Sequence, residues 1–340
     1  MICVKRNIKS KQNSFERDQR DEKEETQTSM TSARELKEAS VSTLDLDFQG
    51  VPNTIASYLI PHRHGAVLVE SGPGSTTGAL QAALEQHGLR VEDISDVLLT
   101  HIHLDHAGAA GWLAKHGARI HVHPVGAPHL IDPEKLLSSA ERIYGDTMET
   151  LWGDFLPVPE EQLNVLEDGQ VLEIEGLCFR ALDTPGHAEH HFAYIFDDIC
   201  FTGDIGGVRL PGPPHIRLPM PPPEFNLEKW RQSAERLQEE FQQGHFRRIA
   251  PTHFGIFEDA SWHMQALQRA IAEVEAWMEG ILPQAPAVED LNNTFLEWTQ
   301  ERSRREGVEE ALMESYETAN PSWMSGYGMQ RYWKKFRNPS

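Results

Sequence analysis

The sequence predicts an α/β fold built from two similar layers packed face to face, with a charged arm before it and a helical extension after it. Three observations carry this prediction. Short apolar strands and amphipathic helices follow one another in the order strands, helices, strands, helices between Leu44 and His253. The 340 residues, 39% of them apolar, suffice for one large globular domain plus an appendage. The texture changes near Leu44 and again near Glu258, which divides the chain into 1–42, 43–258 and 259–340.

Residues 1–42 are highly charged, with few aromatics and no sustained apolar period. They cannot bury enough surface to offset the entropy of ordering, so a disordered or loosely ordered arm is expected. "LDLDFQG", "TIASYLI" and "AVLVESG" then read as strands separated by turn residues. "TTGALQAALEQHG" has a helical apolar period and ends at Gly88. "DVLLT" is a short buried strand, "AGAAGWLAKHG" a helix and "ARIHVHP" a strand. Residues 133–152 read as helical, followed by a looser insertion to about 165.

The second run of strands is "QVLEIEG", "LCFRALDT", "FAYIFDD" and "ICFTGD". A proline-rich loop, the helix "LEKWRQSAERLQEEFQQG" and the strand "RRIAPTH" close this half. Helices are expected at 259–281, 288–305 and 307–319. In the aromatic and basic tail, Trp323, Tyr327, Tyr332, Trp333 and Phe336 are expected to cover apolar surface on this subunit or on the partner of a homodimer.

The net charge of −21 repels phosphate backbones and makes nucleic acid a poor partner. No apolar run approaches the ~20 residues needed to cross a bilayer, and the N-terminal stretch lacks a signal-peptide core. Cys3, Cys178 and Cys200 are far apart and odd in number. They read as reduced thiols, so a cytoplasmic protein with a small-molecule substrate and no membrane partner is expected.

The chemistry concentrates in "LLTHIHLDHAGAAG", residues 98–111, which crowds His101, His103, Asp105 and His106 just after a strand. Side chains two apart in an extended segment point the same way, so His101 and His103 converge on one ion. Asp105 and His106 are neighbours that share a site only if the backbone turns into a helix. Three later strands each end in a further ligand-type residue: His187 in "TPGH", Asp204 in "FTGD" and His253 in "APTH". Gly203 lets the backbone approach closely beside Asp204.

Five histidines and two aspartates are too many for one ion, so two divalent ions are expected, with the two oxygens of Asp204 as the bridge. Imidazole with carboxylate suits zinc first, with manganese and iron as alternatives. Any single histidine among the chain's 17 is more often structural than a ligand. His62, His64, His87, His116, His245 and His263 are therefore read as ordinary polar positions. His121 and His123 are read as packed or hydrogen-bonded, and one of His190 and His191 as orienting a ligand.

The set HxHxDH, TPGH, TGD and PTH, in this order, resembles the metallo-β-lactamase superfamily over roughly residues 44–257. The resemblance implies an αββα sandwich with a helical C-terminal extension, and a site at one edge between the sheets. It further implies that His101, His103 and His187 hold one ion, that Asp105, His106 and His253 hold the other, and that Asp204 touches both. Such a centre lowers the pKa of water from about 15.7 towards ~7 and makes hydroxide at neutral pH. Asp105 is the catalytic candidate, steering the nucleophile's proton.

The expected activity is metal-dependent hydrolysis of a small ester, lactone or thioester. An iron-dependent sulfur dioxygenase is the alternative, and the second set of ligands argues for hydrolysis. The lactonase-like branch shares the ligand set and a helical insertion after the first cluster. It uses a tyrosine after the bridging aspartate, whereas this chain has none between Tyr194 and Tyr316. The glyoxalase II-like branch shares a helical C-terminal part, with Arg302, Arg304 and Arg305 as a basic patch or a solvated helix face. The stiff, apolar loop 206–223 is expected to wall the site and to select a substrate with an apolar part. His215, Arg217 and Met220 on that loop are the substrate-binding candidates, together with Leu210, Pro211, Ile216 and Leu218 as its apolar surface.

Overall fold

The structure is a computed structural model and describes residues 40–338. The expectation for residues 1–39 lies outside the described residues. The chain enters the fold with β1 (Ser42–Asp45), β2 (Ala56–His62) and β3 (Gly65–Val69), an antiparallel meander. There follow α1 (Thr77–Gln86), β4 (Ile94–Leu98), α2 (Leu104–Ala107), α3 (Ala110–Lys115) and β5 (Arg119–Val122). The insertion holds α4 (Ala127–Ile131), α5 (Glu134–Tyr144) and α6 (Met148–Trp152), and returns to the sheet as β6 (Leu163–Val165). These six strands form one sheet in sequential order, with β3 to β6 parallel.

The second sheet is β7 (Val171–Ile174), β8 (Leu177–Asp183), β9 (Phe192–Phe196), β10 (Ile199–Phe201) and, after α7 (Leu227–Gln242), β11 (Arg248–Ala250). Its first four strands are antiparallel, and β11 joins β10 in parallel. Helices α8 (Ala260–Ile281), α9 (Val288–Arg305), α10 (Glu310–Ala319) and α11 (Ser322–Tyr332) complete the described chain.

The period of two within each strand explains the layering. In β3, Ala66 and Leu68 join the helix-covered core with Leu80, Leu84 and Leu113, while Val67 and Val69 are buried on the opposite face. In β9, Ala193 and Ile195 join a second core with Trp230, Leu267 and Phe295. Phe192, Tyr194 and Phe196 face the other way and are buried between the sheets. Tyr58 of β2 meets Phe201 of β10 at 5.2 Å between ring centroids, and the Tyr194 hydroxyl donates to the Leu99 carbonyl at 2.9 Å. Each sheet is therefore covered on both faces, helix outside and sheet inside. This is the αββα arrangement.

The C-terminal helices share the core of the second sheet. Met264, Leu267 and Ile271 of α8, Phe295 of α9 and Met329 and Tyr332 of α11 belong to one buried cluster with Ala193 and Cys200. Helix α7 shows how the sequence arranges this. Asn226 caps it by accepting from the Lys229 N–H at 3.0 Å, and Leu227, Trp230, Ala234 and Leu237 recur on one buried face.

Several elements differ from their sequence reading. The first strand stops at Asp45, because Asp47 (φ 47°), Gln49 (φ 56°) and Gly50 (φ 71°) turn the chain. The helix expected from Ala107 is two pieces and starts earlier, at Leu104. The stretch before 165 ends in an edge strand. The tail forms α11, which begins at Ser322 just after Pro321.

Trp230 ties α7 to the second sheet and to the site, since its indole N–H donates to the Ile205 carbonyl at 2.8 Å, one residue past Asp204. Trp230→Ala should lower unfolding stability by about 3–5 kcal/mol in chemical denaturation. A loss well under that would mean the helical layer is not part of the cooperative core.

Candidate metal centre

Seven side chains from four strand ends and one short helix converge at one edge of the sandwich. β4 ends at Leu98 and leads to His101 and His103, and α2 turns the backbone so that Asp105 and His106 join them. His187, Asp204 and His253 follow β8, β10 and β11. The turn at Gly203 (φ +51°) is tight. A Cβ there would lie 2.5 Å from Thr100 Oγ1 and 2.7 Å from His191 Nε2, so the close approach expected of this glycine is present.

Two donor groups result. The ligand atoms of His101, His103 and His187 lie within 4.8 Å of one another, as do those of Asp105, His106 and His253. Asp204 stands between them. Its Oδ2 is 3.3 Å from His187 Nε2, and its Oδ1 is 3.4 Å from His106 Nε2 and 3.5 Å from His253 Nε2. Asp105 Oδ2 lies 3.5 Å from both His106 Nε2 and His253 Nε2.

Hydrogen bonds on the far side of each ring decide what these nitrogens present. His187 Nδ1 is 2.8 Å from the Pro219 carbonyl and His253 Nδ1 is 2.7 Å from the Thr54 carbonyl. A carbonyl only accepts, so both Nδ1 atoms carry the proton and both Nε2 atoms show a lone pair to the site. His106 Nδ1 donates to Glu70 Oε1 at 2.9 Å. The Thr100 hydroxyl gives its one proton to the same carboxylate, at 2.5 Å. It must therefore accept from His101 Nδ1 at 3.1 Å, which leaves His101 Nε2 bare.

His103 Nδ1 faces His101 Nε2 at 3.0 Å and His187 Nε2 at 2.8 Å. One proton on His103 satisfies one of those two contacts at most, whereas a cation among them satisfies all three nitrogens. His106 Nε2 and Asp204 Oδ1 are buried with no hydrogen-bond partner. Buried groups left this way cost about 1–3 kcal/mol each unless something else binds them. No Lys or Arg pairs with Glu70, Asp105 or Asp204 among the described residues. The donor set fits divalent cations.

Protonation tendencies agree. Burial, and then the neighbouring His106, hold His101 well below the usual imidazole range, and burial brings His187 down to about 4. Burial works against the charged form of His106, but Asp105, Asp204 and Glu70 together pull it well up. Burial would raise Asp204, yet His106, His187 and His253 hold it far below the usual carboxylate range. The site demands positive charge beside Asp105 and Asp204 and neutral rings at His101 and His187.

Within the ligand cluster, Glu70 is a residue the sequence does not single out. It is fully buried after β3, in the left-handed backbone region (φ 71°). Besides His106 and the Thr100 hydroxyl it accepts from the Thr100 N–H at 3.2 Å and from Thr252 Oγ1 at 2.9 Å. The only signal in the sequence is an acidic residue at the end of an apolar run, "AVLVE".

A cavity of about 490 Å³ opens onto the cluster, with His103, Asp105, His187 and Asp204 on its wall. Phe48, Gln49 and Ile55 of the β1–β2 segment and three more distant segments build most of the remainder. Those three are Leu136, Ile143, Tyr144, Leu151 and Trp152 of the insertion, Pro219–Glu224 of the proline-rich loop, and Glu317–Asn320 with Trp323 and Met324 at the C-terminal end. Phe48 stacks on Trp152 at 5.5 Å, and Tyr144 meets Trp152 and Trp323 edge-on at 5.1 and 6.0 Å. The insertion thus supplies a tyrosine to the wall that the ligand motifs alone do not reveal.

Of the loop residues chosen from sequence, Met220 lines the cavity and His215 and Arg217 do not. His215 Nδ1 lies 2.5 Å from Glu306 Oε2, and Arg217 donates to Glu317 and Ser303, so both are turned into the C-terminal helices. Leu210, Ile216 and Leu218 are likewise buried away from the cavity. The tail faces the site through Trp323 and Met324 as well as covering the core through Tyr332. His263 is no surface position: it is fully buried, with Nε2 at 2.8 Å from the Gly206 carbonyl. His121 bonds Asp96 and Asn164, both at 2.8 Å, and His123 bonds Asp183 at 3.3 Å. His191 Nδ1 bonds Thr184 Oγ1 at 2.9 Å, and His190 lines the cavity with Nε2 at 3.4 Å from Glu224.

The family model described as the metallo-beta-lactamase superfamily matches residues 50–240, a span that includes every candidate ligand except His253. The chain belongs to the metallo-beta-lactamase superfamily. A superfamily protein from Sulfurisphaera tokodaii, ST1585, is 28% identical over 150 residues, 43% of this chain and 56% of the relative. The lactamase-like protein aptB of Emericella nidulans is 34% identical over 152 residues, 44% of this chain and 38% of the relative. An atrochrysone carboxyl ACP thioesterase of Aspergillus fumigatus is 34% identical over 152 residues, with the same coverage of 44% and 38%. The matched part of the chain thus spans between about two fifths and just over half of these relatives' lengths.

Among solved structures, the family protein TTHA1429 from Thermus thermophilus superposes with a TM-score of 0.61 at 22% identity, over 87% of this chain and 93% of that one. The ST1585 crystal structure gives 0.56 at 22% identity, over 68% and 85%. These likenesses bear on the fold. No helix among the described residues is long and apolar enough to cross a membrane.

His103→Ala and Asp204→Ala should each reduce bound metal and abolish activity, while His121→Ala should do neither. Metal analysis of purified protein reads this directly, and normal metal content in His103→Ala would overturn the assignment. Glu70→Gln should weaken metal binding by about 10–100-fold in chelator competition, because an amide nitrogen would face donors where the carboxylate accepts.

Proposed function

We propose that this superfamily member is a metal-dependent hydrolase of esters, lactones or thioesters with a bulky apolar part. The observation that carries the reading is the pairing of two donor groups across Asp204 with one apolar cavity whose wall includes Asp105. In this reading His101, His103 and His187 would hold one ion and Asp105, His106 and His253 the second, with Asp204 standing between the two groups. Zinc fits the imidazole-rich set best. Bound divalent ions supply Lewis-acid polarisation of an acyl oxygen and acidification of water at neutral pH.

The chain's own residues do the rest. Glu70, Thr54, Pro219 and Thr100 fix the ring tautomers before substrate arrives, so no reorganisation is needed during reaction. Asp105, whose side chain is about one-fifth exposed, is the carboxylate on the cavity wall that takes the attacking water's proton. The aromatic wall of Phe48, Trp152, Tyr144 and Trp323 holds the apolar part and keeps bulk water from the reacting bond. The relative named as an acyl-carrier-protein thioesterase is consistent with acyl transfer to water.

The test is a hydrolysis screen of aryl esters, thioesters and lactones on protein loaded separately with zinc, manganese or iron. Turnover should require metal, fall with chelator, and favour acyl groups with a large apolar body over acetyl. Activity confined to a single bound iron and a persulfide would replace hydrolysis with oxidation.

A further inference from the structure

Helix α5 lays one face along the cavity: Lys135, Leu136, Ser139, Ala140, Ile143 and Tyr144 all line it. Positions spaced this way share a side of a helix. At 1.5 Å per residue, Lys135 and Tyr144 are about 13 Å apart along the axis. Tyr144 is the end near the metal cluster. Its ring packs edge-on against Trp152 at 5.1 Å, and the backbone at Gly74 abuts both the Trp152 carbonyl and Gly108, just past the Asp105–His106 turn. Among the described residues the Tyr144 hydroxyl is held by the Met324 thioether alone, at 3.1 Å. Lys135 is the far end, and it is exposed.

The two carboxylates on this wall outside the metal cluster are each hydrogen-bonded. Glu224 accepts from the Glu189 N–H at 2.9 Å and faces His190, and Glu317 is bonded by Arg217 and by the Ser322 N–H at 2.9 Å. Lys135 has no ion pair among the described residues. Asp132 and Glu134, its neighbours in sequence, do not line the cavity, and Asp132 accepts the Glu134 N–H at 3.3 Å. Between the two ends of α5 the wall is apolar or small: Leu136, Ser139, Ala140 and Ile143. The chain's net charge of −21 repels anions at long range, but at physiological salt that field decays over about 8 Å. Lys135 is the one Lys or Arg side chain on that wall among the described residues.

We infer that the substrate carries an anionic group at the far end of its apolar body, about one α5 length from the acyl carbon, and that Lys135 binds that group. This rests on the hydrolase reading for the identity of the reacting end, and on the cavity alone for the anion. Lys135 is a specificity-determining residue: it ranks substrates by their distal end and takes no part in bond cleavage.

The test compares matched 4-nitrophenyl esters on metal-loaded protein. One pair is the dodecanoate and the monoester of dodecanedioic acid, whose chain is long enough to span α5. The other is the hexanoate and the monoester of hexanedioic acid, which is too short. In the wild type, kcat/KM for the long anionic ester should exceed that of its neutral partner by about 5-fold, the scale of one exposed ion pair. The short pair should show no such gain. In Lys135→Gln the long-pair ratio should collapse to about 1, and in Lys135→Arg it should survive. A wild-type ratio of 1 or below for the long pair, or an unchanged ratio in Lys135→Gln, overturns the inference. If no ester is turned over, the hydrolase reading fails. The inference is then read by calorimetric binding of dodecanedioate against dodecanoate to the metal-loaded wild type and Lys135→Gln. Equal affinities in the wild type would sink it.

Discussion

Lone pairs cannot share a small buried volume without a cation among them. His101, His103 and His187 bring ring nitrogens to within 2.8 and 3.0 Å, and at least two of the three are bare because their far sides are committed as donors. His106 and His253 bring two more lone pairs against the oxygens of Asp105 and Asp204. Without positive charge this arrangement is repulsive and unsatisfied, and in a low-dielectric interior both costs grow. Much of the surrounding structure reads as the support such a cluster requires.

That support is paid for in the centre of the sandwich. Glu70 sits where the first sheet meets the second and gathers donors from the segment after β4, from His106 and from Thr252 beside β11. One carboxylate therefore couples three chain segments that carry ligands. It fixes the tautomer of His106 directly and that of His101 through the Thr100 hydroxyl. Buried ionised groups are tolerated when each lone pair is used, and Glu70 comes close to that limit. The tight approach at Gly203, between Thr100 and His191, brings Asp204 into the same small region.

The cavity obeys a different logic. Its floor of candidate metal ligands comes from strand ends, which a rigid double sheet holds in register. Its walls come from the insertion after β5, the proline-rich loop and the last helices. The loop is locked to the C-terminal helices by His215 to Glu306 and by Arg217 to Glu317, so the helical extension shapes the pocket as well as covering the second sheet. Chemistry and selectivity are thus assigned to parts of the chain that can vary separately.

The layered fold, the strand and helix order and the seven residues that cluster at the sheet edge were legible in the sequence. Period-two and period-3.6 patterns are local properties, and the motif at 101–106 with the single residues after β8, β10 and β11 carries its own spacing. Residues whose role depends on what lies across the fold were not legible. Glu70 looks like any acid at a strand end until Thr100, His106 and Thr252 close around it. His263 looks polar until Gly206 covers it. His215 and Arg217 sit on a loop beside the site, yet their side chains were claimed by Glu306 and Glu317, nearly a hundred positions away. Tyr144 and Trp323 reach the cavity only because helices from distant segments pack there. The sequence by itself determined which residues could bind metal and which faces had to be buried. Tertiary structure decided which partners each polar group met, because a buried group's role is set by long-range contacts that no local pattern encodes.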